Sequence, residues 1–261
     1  MVNIPVRIEN RIVSNIKNIQ SKAKKAKELD VSEAQTISAV IKPFLTEVLG
    51  YDEFDDLTDQ FVVRGTYCDL AVKCNGKPYM MVEAKAVGVT LKDAHAKQAK
   101  DYGLNSGVQW IVLTNGLEWN IYKIIFKQPV VEELVMSFNI ANLNLKKDED
   151  KKKIFYLCKE AAVKSEIDNL YAEKLATNKY IVGNLLFKKE VVNFIKKELR
   201  KMFPDTNIEP EAIMSILSDD VIRREIQETP EAAEAKKKIE RIEKRQNRLK
   251  EKKICKEKEA S

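Results

Sequence analysis

The segment from Asp69 to Lys85, DLAVKCNGKPYMMVEAK, puts three chemically active side chains on two strand-like runs joined by a tight turn. Residues 66–74 alternate, with Cys68, Leu70, Val72 and Cys74 on one side and Asp69, Ala71 and Lys73 on the other. Asn75-Gly76 signals a hairpin turn, and an apolar run resumes over 79–86. There Glu83 and Lys85 share one side while Met80, Val82, Ala84 and Ala86 share the other. The pattern predicts one face for chemistry and one for the core.

Parity sharpens that expectation. A plain two-residue loop pairs Cys74 with Lys77 and Asp69 with Val82, so Asp69 faces away from Glu83. One extra residue, in a three-residue loop or a bulge with Gly76 at positive φ, sets Asp69 opposite Glu83. The bulged form is the one expected.

At 261 residues with 44% hydrophobic and 33% charged content, the chain can bury a full core. No run of about 18 apolar residues occurs, and MVNIPVRIENRIV lacks the basic-then-apolar order of a signal peptide, so a cytoplasmic protein with no membrane contact is expected. The four cysteines, Cys68, Cys74, Cys158 and Cys255, form no C-x-x-C pair, and with one histidine a zinc cluster is not expected.

Residues 5–28 read as an amphipathic helix carrying Ile12, Ile16, Ile19, Ala23 and Ala26. A second helix is predicted from the N-cap Ser32 to about Val48, kinked or interrupted at Pro43 and stopped by Gly50. Strands are predicted at 60–64, 66–74, 79–86, 110–114 and 119–125, with a helix at 91–104, giving a mixed-sheet α/β core that ends near residue 127. Helices follow near 151–176, 185–202, 209–217 and 219–228, and Pro230 opens a long charged helix. The expected division is an N-terminal helix (1–30), the core (31–144), a helical C-terminal domain (145–230) and a basic helical tail (231–261). Residues 231–259 hold 12 Lys/Arg against 7 Asp/Glu, a net of +5, so nearly all of the chain's +6 sits in the tail.

Phosphodiester hydrolysis needs an activated water and neutralised charge on the phosphorane and leaving oxygen. Carboxylates holding Mg²⁺ or Mn²⁺ beside a lysine can serve those needs. Asp69, Glu83 and Lys85 suit the roles, and Glu33 could add a carboxylate from the helix before the strands. Taken alone, D…E-x-K is permissive, because the wet face of any sheet carries charges. Glu33 is equally accounted for as a first-turn acid, and His95 as a structural histidine.

The surrounding phrases are more specific. Val82-Glu83-Ala84-Lys85 in this element order resembles the PD-(D/E)xK nuclease superfamily, with its restriction-endonuclease-like core. The phrases EAQTISAVIKPFLTEVLGYD (33–52), CDLA (68–71), NGKPYMMVEAK (75–85), HAKQAKDY (95–102) and LTNGLEWNIY (113–122) resemble the N-terminal nuclease domain of type I restriction enzyme R subunits, over about residues 30–125. That resemblance implies metal binding by Asp69 and Glu83 with Glu33 completing the acidic set, Lys85 assisting the water, and Gln98 and Tyr102 positioning DNA. Cys68 stands where the superfamily's proline would precede Asp69. No G-x-x-x-x-G-K-[ST] follows, so the resemblance is to stand-alone relatives of the domain and not to a whole translocating R subunit.

The expected function is therefore a Mg²⁺-dependent DNA endonuclease of the restriction or defence kind, partnered by a motor, methyltransferase or specificity subunit. The alternatives are a non-catalytic nucleic-acid-binding or assembly module and, more weakly, an RNA nuclease. Lys188, Lys189, Lys196, Lys197, Arg200 and Lys201 form a basic face that reads either as a nucleic-acid contact or as a solvated helix face with interleaved acids. The thin stripe Ile239, Ile242, Leu249, Ile254 allows self-association or partner docking through the C-terminal helices.

Overall fold

The computed structural model describes residues 2–259 except Arg64; the side chains of Val63, Thr66, Asp93, Ala96, Gln98, Ala99, Tyr102, Gln246, Asn247 and Leu249 and of residues 250–259 lie outside the description. Two compact units result, Met1–Tyr171 and Ala172–Ser261.

The first unit is an α/β domain built on one six-stranded sheet. Helix α1 (Val6–Glu28) buries Ile8, Ile12, Ile16, Ile19, Ala23 and Ala26, the residues that recur at helical spacing. Helix α2 (Glu33–Thr36) starts at a capping box in which Ser32 and Gln35 satisfy each other's backbone N–H groups. The helix then widens into π-type turns at Ile37–Ile41 and Phe44–Val48, on either side of Pro43. Proline lacks the N–H for a regular bond and its ring crowds the preceding carbonyl, so a widened turn is the interruption expected there.

Strands β1 (Leu57–Val63), β2 (Thr66–Cys74), β3 (Lys77–Ala84), β4 (Trp110–Thr114), β5 (Glu118–Ile125) and β6 (Val131–Asn139) pair in sequence order. Every neighbouring pair is antiparallel except β3 and β4, which run parallel and are joined across helix α3 (Asp93–Ser106). A parallel pair needs such a crossover, and the crossover lays a helix on the sheet. Gly103 of α3 sits against it so closely that an added Cβ would lie 3.0 Å from Ile111 and Ile124.

Two expectations are corrected here. The core does not end near residue 127: β6 completes the sheet as an edge strand, and its Glu132, Glu133 and half-exposed face weaken the alternation that would mark it. Nor is the face carrying Glu83 a wet one. Ala71, Met81 and Ile111 on that face pack into a cluster with Cys68, Val108 and Ile124, beneath α3. On the other face Trp119 lies between Phe44, at 4.7 Å between ring centroids, and Phe138, at 6.2 Å. Both faces of β3 are core, the usual consequence of a parallel crossover.

Helices α4 (Asp148–Phe155) and α5 (Lys159–Val163) belong with the sheet and not with the C-terminal helices, which moves the division from 144/145 to 171/172. The cause is a set of specific ties. Arg11 makes two 2.7 Å bonds to Glu160 and also donates to the carbonyls of Val48 and Leu49, while the Tyr51 hydroxyl donates to Leu157 O at 3.0 Å. The helix expected over 151–176 is broken at Tyr156–Cys158 and again at Ser165, where φ is +54°, before α6 (Glu166–Ala176).

The second unit is all helical: α7 (Lys179–Leu186), α8 (Lys189–Met202), α9 (Pro210–Ile216), α10 (Arg224–Gln227) and α11 (Pro230–Glu259). Its core gathers Val192, Ile213, Leu217 and Ile222. Ala232 and Ala235, at the start of α11, are buried. The tail is thus anchored in this unit by its first turns.

Candidate active site

The β2–β3 hairpin decides which side chains meet. Asn75 and Gly76 have φ of +53° and +73°, and Cys74 pairs with Lys77, so the turn is a plain two-residue loop with both central residues left-handed. The extra residue lies further along. Val72 pairs with Met80 while Lys73 pairs with Pro78, leaving Tyr79 as a bulge. Pro78, which cannot donate to the ladder, stands beside it. Beyond the bulge Leu70 pairs with Val82, and the next step of that register sets Asp69 across from Glu83. The bulged form is present, with its extra residue at Tyr79 and not in the turn.

Asp69 is held by the backbone it faces: its Oδ2 accepts from the Ala84 N–H at 2.7 Å. Glu83 is 2% exposed and its Oε1 accepts from Lys85 Nζ at 2.6 Å. Its second oxygen, Oε2, is buried with no hydrogen-bond partner among the described residues. A buried carboxylate oxygen without a donor is costly, and the cost shows in the titration. Burial, reinforced by the Asp69 charge and only partly offset by Lys85, pushes Glu83 up to about 7.

Lys85 Nζ also donates to Ala84 O at 2.8 Å and stands 3.9 Å from Glu33 Oε2. Burial pulls its pKa down, but the Glu83 hydrogen bond and the charges of Glu83, Glu33 and Asp69 outweigh that, so the ammonium is held above the ordinary lysine value. Asp69, Glu83, Lys85 and Glu33 therefore converge at the end of β3, with Glu33 as the outermost and half-exposed member.

The support around them was not legible as function in the sequence. Lys85 N–H donates to Thr114 O at 2.8 Å, and the buried Thr36 hydroxyl accepts from Val87 N at 3.1 Å. Asn115 donates to Val89 O at 2.8 Å and accepts from the N–H groups of Leu117 and Glu118. These bonds fix residues 85–89, the segment that carries the lysine. The available signals were a threonine on the apolar face of a helix and an Asn-Gly turn read only as a turn.

Gln98 and Tyr102 lie on α3, but their side chains fall outside the described residues. His95 caps that helix, its Nδ1 accepting from Lys92 N at 3.3 Å, a structural role. Cys68 is buried, with its thiol directed at the carbonyls of Leu70 and Val82, and burial next to Glu83 pushes it up to about 12, so it is inert.

Among the described residues no group of three or more His, Cys, Asp or Glu side chains is disposed to hold a metal. The two that could share one are Asp69 and Glu83. The orphaned Glu83 Oε2 and the tethered Asp69 suit a hard cation such as Mg²⁺, which takes one or two carboxylates and completes its shell with water and substrate phosphate.

Of the basic residues on and beside α8, Lys188 pairs with Glu243 at 2.6 Å, Lys201 with Glu198 at 2.7 Å and Lys196 with Glu209 at 3.9 Å. Lys189, Lys197 and Arg200 are exposed. These six residues belong to the second unit, and the carboxylate cluster belongs to the first.

Comparison with known proteins agrees with the sheet's geometry. Residues 43–139 match the family described as type I restriction enzyme R protein N terminus. The match runs from Pro43 to the end of β6, so it contains Asp69, Glu83 and Lys85 and leaves Glu33 outside. No curated protein and no solved structure matches the chain. Among the described residues no helix is long and apolar enough to cross a membrane.

Proposed function

We propose, from that family match together with the buried Glu83 oxygen that has no partner among the described residues, that the chain is a metal-dependent DNA endonuclease of the restriction or defence kind. The Glu83 oxygen carries the reading. A folded protein tolerates such a group where a further ligand completes it, and opposite Asp69 a divalent cation would do so. Mg²⁺ or Mn²⁺ held by Asp69 and Glu83 would supply charge neutralisation at a scissile phosphate.

The protein's own residues supply the rest. The hydrogen bond from Ala84 fixes the Asp69 carboxylate, so the two acids keep their spacing without substrate. Lys85, whose Nζ already donates to Glu83 and to the Ala84 carbonyl, would orient the attacking water or help to deprotonate it. Glu33 stands close enough to share that lysine and draw it off Glu83 when the cation binds. Gln98 and Tyr102, on the helix over the same face, would position the nucleic acid. DNA, and a motor, methyltransferase or specificity subunit encoded alongside, are the proposed partners.

Incubation of the full chain with supercoiled plasmid and Mn²⁺, compared with Lys85→Ala, tests this. Wild type yields nicked and linear product, and the variant falls by about 10²-fold or more, the usual scale for losing a positioned acid–base group. Equal residual cleavage in the two would defeat the nuclease and leave a binding module.

A further inference from the structure

A groove of about 540 Å³ lies between the second half of α1 and the far side of the β4–β5 turn, in the same unit as the carboxylates. Its polar lining is Gln20, Ser21, Lys24, Lys27, Asn139 and Asn142. Ser21, Lys24, Lys27, Asn139 and Asn142 each carry an N–H or O–H donor, and among the described residues no Asp or Glu lines it. Lys24 stands 4.0 Å from Glu28, and the two side chains are 79% and 63% exposed. So solvated a pair yields readily to a stronger anion.

The groove is built and lies at the carboxylate end of the sheet. Gln20 Nε2 donates to Ile140 O at 2.9 Å and Leu143 O at 3.1 Å, which locks α1 to the segment after β6. Asn139 Oδ1 accepts from Ala141 N at 2.9 Å, which fixes that amide. Leu117 also lines the groove, and it follows Gly116, where an added Cβ would lie 2.9 Å from Thr36. Thr36 is three residues from Glu33, which reaches Lys85. Because β3 and β4 are parallel, Ala84 pairing with Thr114 puts the carboxylate end of β3 and the turn that borders the groove at one end of the sheet.

We propose that this groove seats the sugar-phosphate backbone of duplex DNA next to the cut site. The proposal rests on the endonuclease reading for its purpose, but the groove's chemistry is independent of cleavage. Two lysines neutralise phosphates while hydroxyl and amide donors set the register, the division of labour in which backbone contacts position and carry no sequence information.

The test is duplex binding by fluorescence anisotropy in EDTA over a range of salt, with the full chain. Lys24→Ala/Lys27→Ala should weaken binding by more than about tenfold at 0.1 M salt and reduce the log–log salt slope by about 1.8, two contacts at about 0.9 each. The control is Lys77→Ala/Lys127→Ala, which removes the same charge from exposed lysines at the opposite end of the sheet. It should change the slope far less. Groove and control variants that behave alike, or wild type that does not bind the duplex, would overturn the proposal. A groove variant that loses slope while no form of the protein cleaves would sink the nuclease and keep the groove; cleavage with an unchanged slope would do the reverse.

Discussion

Charge is handled in opposite ways by the two units. In the sheet unit the decisive charges are few and at least partly buried: Asp69 on the Ala84 N–H, Glu83 under α3, and Lys85 on Glu83 and the Ala84 carbonyl. In the helical unit the charges are many and exposed, and along α8 they meet carboxylates at Glu198, Glu209 and Glu243. Solvated pairs of that kind stabilise by about 0–1 kcal/mol. A buried carboxylate without a donor costs several times more, so it survives where something is gained from it. Charge density and burial therefore mark different regions: most of the net charge lies in the tail, and the carboxylate cluster lies in the nearly neutral part.

The sharpest way to break this contrast is to remove one buried charge. Asp69→Asn retains a side-chain oxygen for the Ala84 N–H, so the fold should persist, but it gives up the anionic ligand. Calorimetric titration with Mn²⁺ should show affinity lower by more than about 100-fold, since even partners outside a metal's ligand shell cost about 10–100-fold. Equal affinity would remove Asp69 from the site.

Glu83 gives a second test through pH. Its folded pKa, near 7, lies above the ordinary 4.5, so the folded protein binds the extra proton between those values. Its stabilising effect is complete below about pH 4.5 and is lost as pH rises through 7. Of order 2–3 kcal/mol should disappear across that window in metal-free urea titrations. Glu83→Gln, which mimics the neutral form, should flatten the loss and leave the variant more stable than wild type at pH 8. A wild-type curve already flat from pH 5 to 8 would mean that Glu83 is not the strained group described here.

How much of this was readable from residues alone differs between the units for the same physical reason. Side-chain period 2 is strict, so parity alone demanded an extra residue between Asp69 and Glu83, and Tyr79 provides it. Parity could not say where, because a bulge at Tyr79 and a longer loop at Gly76 satisfy it equally. The cover over Glu83 was invisible for a similar reason: α3 reaches that face through the β3–β4 crossover, and sequence periodicity reports a face but not what covers it. β6 escaped because an edge strand that buries Met136 and Phe138 while exposing Val131 and Leu134 scarcely alternates. In the helical region, Ser165 at positive φ and the ties of α4 and α5 to Arg11, Asp56 and Tyr51 redraw the boundary. None of these leaves a periodic trace.

The smallest expected effect lies on α8 and bears on whether its basic face contacts DNA. Lys189, Lys196, Lys197 and Arg200 fall within about 100° of the helix circumference, so a duplex laid along it could meet all four. With Lys188, Lys196 and Lys201 already facing carboxylates, the remaining charge is Lys189, Lys197 and Arg200. Replacing these three with alanine should lower the magnitude of the salt slope by less than about 1, roughly a single contact, against about 1.8 for the two groove lysines. Anisotropy on the same duplex and salt series makes the two numbers directly comparable. A fall near 2.7, three full contacts, would make α8 the principal DNA surface and reverse the contrast, because exposed, partly paired charge would then be outperforming the groove beside the buried site.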